Sequence, residues 1–195
     1  MKPILFNTNM VRAILEGRKT VTRRVVKEPW YIEDEEMSRV SGFAMHRGCN
    51  CTLGMPYPDS LYRLSDTLYV RETFCRKPSE EYPFVYKASV ETPDAWKWCP
   101  SIHMPREAAR IFLRVTEVRV ERLQEITEDQ AQAEGVKGWM IATDRDWDKN
   151  PNHRIAFLHE WNQTIKKGDF ALYSWDADPW VWVIEFERCE KLKGD

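Results

Sequence analysis

Apolar positions recur along the chain in two rhythms. In "TNMVRAILEG" (8–17), Met10, Val11, Ile14 and Leu15 fall at helical spacing, and Gly17 sits where a helix end takes a left-handed residue. Thr8 or Asn9 is placed to cap its start. On either side, "PILFN" (3–7) reads as a short buried strand, and "TVTRRVV" (20–26) alternates and is rich in β-branched residues, as strands do. "DTLYVRETF" (66–74) and "FVYKA" (84–88) continue the strand rhythm. The longest alternation is "RIFLRVTEVRVERL" (110–123). Ile111, Leu113 and Val115 share a face there, and the phase then shifts near Thr116–Glu117, which predicts a bulge or bend. "TEDQAQAEG" (127–135) predicts a helix opened by a Thr127–Gln130 capping box and ended by Gly135. "RIAFLHEWNQTIKKG" (154–168) predicts an amphipathic helix with Phe157, Leu158, Trp161 and Ile165 on one side. "WVWVIEFERC" (180–189) closes the series as a strand apolar enough for an interior position.

Between these elements the rhythm fades. Residues 27–60, 75–105 and 136–152 read as long loop insertions, the first two rich in proline. The order β-α-β, further strands, two helices and a final strand predicts an α+β fold. The expected form is a small β-barrel with helices packed at its mouth, with a split sandwich as the other arrangement. One domain over 1–195 accommodates all of it.

Composition changes the picture in three ways. Charged residues make up 31% of the chain, but their signs nearly cancel to −2, which argues against a generally basic nucleic-acid coat. No stretch approaches the roughly 18–20 apolar residues that span a bilayer. The apolar run in "MKPILFNTNMVR" is too short for a signal peptide, so the cytoplasm is the expected compartment. Five cysteines without an export signal read as reduced thiols.

Charge is concentrated in "GRKTVTRR" (17–24). On a strand, Thr20, Thr22 and Arg24 face one way, and Val21 and Arg23 the other. One face must meet the core, so at least one arginine lies near the interior and needs a partner there. Lys19 and Thr22 are three apart and would face opposite ways on a regular strand. They converge only if Lys19 still belongs to the preceding turn. The plain alternative is that Arg18, Lys19, Arg23 and Arg24 are solvated.

"ILEGRKTVTRR" resembles the signature of the ASCH superfamily, a Gly-x-Lys segment with a basic residue a few positions on, here Gly17, Lys19 and Arg23 or Arg24. "DTLYVRETF" is similar to the family's Gly-Asp-x-Leu-x-Val-Arg-Glu strand, with Ser65 in place of the usual glycine. "EITEDQAQAEGV" resembles its capped helix, and "DPWVWVIEF" its closing strand. Together these cover about half the chain, and the insertions resemble a longer branch often carried by phages and prophages. The resemblance implies a PUA-like barrel. One branch, small amidohydrolases acting on acetylcytidine, uses a lysine, a threonine three residues on and a glutamate at the end of the later helix. These positions are Lys19, Thr22 and Glu134 here. The expected chemistry has Thr22 attacking, a neutral Lys19 taking its proton and Glu134 protonating the leaving nitrogen. The implied partner is a nucleoside or RNA, with no cofactor. A non-catalytic RNA or modified-base binding module and a ribonuclease are the alternatives.

Other positions extend the candidate site. Arg18 and Arg24 are expected to attract phosphate. Arg71 and Glu72 point opposite ways on one strand, and Glu72 is expected to pair with Lys19 or Arg24 or to form a structural ion pair. Ser101, His103 and Arg106 cluster before a strand as a further substrate-binding group. His46, Cys49 and Cys51 lack the paired spacing of a zinc knuckle, and no metal is assigned to them. Trp96, Trp98, Trp139 and Trp147 are available either to stack bases or to pack the insertions.

Overall fold

Two long strands form the spine of the sheet. β8 (Phe112–Arg122) runs antiparallel to β9 (Trp180–Cys189) along almost its full length. Their register slips between Val115 and Glu117, so Thr116 is the extra residue of a bulge. The side-chain phase records it: Ile111, Leu113 and Val115 face one core, and after the bulge Val118 joins the same core.

The computed structural model describes residues 1–26, 62–76, 83–91, 97–138 and 152–191, with the backbone of two strand pieces at 30–31 and 45–46. In the five-stranded sheet, β1 (Lys2–Leu5) and β5 (Thr67–Arg71) precede β8 and β9, and β2 (Val21–Val25) follows them. The β1–β5 pair is parallel and the others are antiparallel. Two small ladders stand apart, β3 (Trp30–Tyr31) with β4 (Met45–His46), and β6 (Phe74–Arg76) with β7 (Phe84–Tyr86). The molecule is therefore mixed α+β.

β9 takes the interior place expected of it, and both its faces are covered. Ile184 and Phe186 join Ile4, Phe6, Leu68 and Val115 in one core. Val181 and Val183 join Val21, Leu123, Phe157 and Trp161 in the other. Helix α1 (Thr8–Leu15) covers the first core with Val11 and Ile14. Helices α2 (Glu128–Ala133) and α3 (His153–Thr164) cover the second.

The caps follow local chemistry. Asn7, rather than Thr8 or Asn9, caps α1, its side chain accepting from the Met10 amide. Thr127 and Gln130 form the expected capping box of α2. α3 stops at Thr164, because Ile165 is already extended, and a short helix α4 (Phe170–Tyr173) follows that the sequence pattern does not announce. No helix among the described residues is long and apolar enough to cross a membrane.

No β1–β2 ladder joins the two sheet edges among the described residues. The edges meet instead through a side chain: Arg24 Nη2 donates to the Leu5 carbonyl at 3.1 Å. The candidate site lies at this junction.

Candidate functional site

A lysine becomes fully buried here because three elements clamp the turn that carries it. At the end of α1, Gly17 adopts φ +76, and the amides of Arg18 and Lys19 both donate to the Ala13 carbonyl. The Thr20 amide donates to Ala133 O at the end of α2, and Thr20 O accepts from Phe186 N on β9. Lys19 therefore precedes β2 and forms a lone antiparallel bridge with Glu134. The approach is close: a Cβ on Gly135 would stand 2.7 Å from Ala13 Cβ and 2.8 Å from Lys19 Cβ. Gly135 also holds φ +83, so the position takes glycine for two reasons.

Lys19 Nζ donates to Glu134 Oε2 at 2.7 Å, to Glu134 O at 2.8 Å and to Val21 O at 2.8 Å. These use all three ammonium protons. Glu134's other oxygen accepts from Arg23 Nη1 at 3.2 Å, and Arg23 Nη2 donates to Glu121 and to Gln130. Lys19, Arg23 and Glu134 are buried charges compensated by one another. Burial holds the Lys19 ammonium below the ordinary lysine value; Glu134 opposes this and Arg24 adds to it. Arg24 Nη1 donates to Thr22 Oγ1 at 2.8 Å. Both cations also lie near the Phe6 ring, Lys19 Nζ at 5.5 Å and the Arg24 guanidinium carbon at 5.4 Å.

Against this cluster opens a cavity of about 340 Å³, within the range of small-molecule sites. Thr22, Arg23, Arg24 and Glu134 form its polar wall. Leu5, Met10, Val25 and Val136 supply apolar surface, and α3 closes the far side with Phe157, Glu160, Trp161 and Thr164. Thr22 and Glu134 thus face one space, with Lys19 directly behind Glu134. Lys19 Nζ makes no hydrogen bond to Thr22 Oγ1.

Other sequence-derived positions lie elsewhere. Arg18 is held at the surface by Glu16 and by the Gly135 carbonyl and does not line the cavity. Glu72 pairs with neither Lys19 nor Arg24. It is buried and held in a two-pronged ion pair by Arg110, with bonds of 2.8 and 3.0 Å, which is the structural ion pair that the sequence offered as the alternative; the Arg110 guanidinium in turn lies 4.0 Å from the centroid of Tyr86 on β7. Arg71 neighbours Leu5 in the β1–β5 register and donates to the Ile102 carbonyl. Ser101, His103 and Arg106 sit on two 3-10 turns outside the cavity lining. The His46 side chain, Cys49, Cys51, Trp96, Trp139 and Trp147 lie outside the described residues.

Sequence reasoning required Arg23 or Arg24 to lie near the interior without choosing between them, and Arg23's partners Glu121 and Gln130 are remote in sequence. Glu160 carries no signal of its own, since a single acid on a helix usually marks the solvent face.

No family model matches the chain, and no curated protein matches it. Among solved structures, it is similar to the crystal structure of a protein from Enterococcus faecalis V583 described by the family model DUF984. The identity is 11% and the TM-score 0.45, over 97% of this chain and 76% of that one.

Proposed function

We propose that the cavity between β2 and α3 binds a nucleoside or nucleobase, and that Lys19, Thr22 and Glu134 act there on an acyl-amide bond, as in N4-acylated cytidine. The carrying observation is the buried Lys19–Glu134 pair at 2.7 Å, with Glu134 and Thr22 both opening on the cavity. The PUA-like barrel belongs to the same proposal, supported by the approach of the β1 and β2 edges at Leu5 and Arg24.

In the proposed reaction, the depressed Lys19 first passes a proton to Glu134, leaving a neutral amine and a carboxylic acid. Thr22 Oγ attacks the acyl carbon while Lys19 takes the hydroxyl proton. Glu134 protonates the departing amine, and water then releases the acyl group from Thr22. The Arg24 guanidinium beside Thr22 Oγ1 favours the oxygen as it gains negative charge. Lys19 must exchange one of its present acceptors for Thr22 to do this. That requirement favours a second reading, a binding module in which Lys19 is only structural.

Incubating the protein with acylated cytidines and following products by mass spectrometry separates the two. Deacylation by the wild type, lost in Thr22→Val, supports the hydrolase. Binding without any product supports the module. Neither binding nor turnover rejects both.

A further inference from the structure

One cation on the cavity wall has no anion in contact. Lys19 and Arg23 divide the two oxygens of Glu134 between them, and Arg23 also holds Glu121. Arg24 bonds only to neutral oxygens. Its Nη1 donates to Thr22 Oγ1 at 2.8 Å and to Arg23 O at 2.9 Å, and its Nη2 to Leu5 O at 3.1 Å. It forms no ion pair among the described residues. Burial holds the guanidinium below the ordinary arginine value, although Glu134 opposes this through space. A half-buried cation without a contacting countercharge is costly, and an arriving anion relieves that cost.

The three bonds fix the guanidinium on the cavity wall, because Thr22 and Leu5 line the cavity with it. They use three of its five protons and leave one on Nη2 and the one on Nε. Both nitrogens are reachable. The bond to Leu5 is exposed, and the sealed, unbonded nitrogens among the described residues are those of Arg23 and Arg71. The acids of the lining do not compete for these donors. Glu134 is engaged by Lys19 and Arg23, and Glu160 stands on α3 and acts on Lys19. The wall therefore offers two fixed donors and a positive charge beside the hydroxyl of Thr22.

We infer that Arg24 is an anion-binding residue, and that the preferred substrate carries a carboxylate on a short acyl chain, as a succinyl group does. The inference rests on the acyl-amide reading above and adds to it the charge of the acyl group. Position decides between the two sources of an anion. The hydroxyl that attacks the acyl carbon is one hydrogen bond from Arg24, so an anion on the remaining donors lies close to that carbon. A carboxylate on a short acyl chain reaches this place. A ribose phosphate, at the far end of a nucleoside from the exocyclic amine, does not. Nη1 keeps its bond to Thr22 throughout.

The test is calorimetry with the wild-type protein and ligands that cannot be hydrolysed. N4-carboxypropylcytidine has a methylene where a succinyl group has its amide carbonyl, and N4-carbamoylpropylcytidine is its neutral isostere. The expected preference for the carboxylate is about tenfold or more, as for a hydrogen bond between charged groups. It should shrink as salt rises. Arg24→Gln should remove the preference, and Arg24→Lys keep part of it because the charge remains. Circular dichroism and melting temperature report whether each variant is folded. Equal binding of the two probes by the wild type, a comparison that needs no variant, overturns the inference and leaves the acyl-amide reading standing. A preference that survives in folded Arg24→Gln overturns it as well. Cytidine monophosphate against cytidine is the second arm. A preference for the phosphate that Arg24→Gln loses, with none for the carboxylate, assigns the anion to the ribose end and overturns the carboxylate assignment. No binding of any probe by the wild type overturns both readings.

Discussion

At the residue scale, the site turns on three buried charges, with Glu134 held between the cations Lys19 and Arg23. Breaking a buried pair costs about 3–5 kcal/mol, because the survivor is left uncompensated. Glu134→Gln leaves Lys19 and Arg23 both facing a neutral amide, so a loss in that range is expected by chemical denaturation. Adding Lys19→Met to it should cost less than the sum of the single changes, since one cation leaves with the anion. The pH dependence has a definite sign. Lys19 is held below 10.5 in the fold, burial outweighing the pull of Glu134, so the unfolded chain binds its proton more tightly. Stability contributed by this group therefore rises with pH between the folded value and the unfolded one. Urea titrations at neutral and alkaline pH should show the wild type gaining on Lys19→Met as pH rises. A falling difference would mean that the pair, and not burial, governs the lysine.

At the scale of elements, the turns that place these residues are more specific than the strands. Gly17 and Gly135 both have positive φ, but only Gly135 is crowded. Gly17→Ala should cost about 1 kcal/mol from backbone strain alone. Gly135→Ala should cost more, because its Cβ would overlap Ala13 and Lys19, and it should also displace the lysine. Ser65 stands at φ +68 before β5, at the position where the sequence resemblance expects glycine. Ser65→Gly relieves that strain and should stabilise the fold by a few tenths to about 1 kcal/mol, read as a rise in melting temperature.

The same elements show what was legible in the sequence. The caps of α2, the bulge at Thr116 and the interior place of β9 follow from local chemistry and side-chain period, and a single sequence carries both. The turn position of Lys19 follows from Gly17 for the same reason. The end of α3 at Thr164 and the short α4 depend on packing against Trp161 and Trp175, whose contacts with Tyr173 and Asn162 are tertiary. A structural ion pair at Glu72 was legible, but not Arg110 as its partner, because spacing along the chain does not encode which of several cations the residue after β5 meets.

At the scale of the molecule, the cavity is assembled from distant parts: β2 and α1 from the start of the chain, Glu134 from the middle and α3 from the end. Ligand binding should therefore tie the two apolar cores together and raise the stability of the whole. At a hundredfold excess over Kd the gain is about 2.7 kcal/mol, visible as a concentration-dependent melting temperature. The measurement that tests the central claim most directly is an amide-resolved NMR titration of the Thr22→Val protein with N4-acetylcytidine. The account predicts saturable shifts concentrated at residues 22–25, 134–136 and 157–165. Shifts centred on Ser101–Arg106, or none at all, would contradict it.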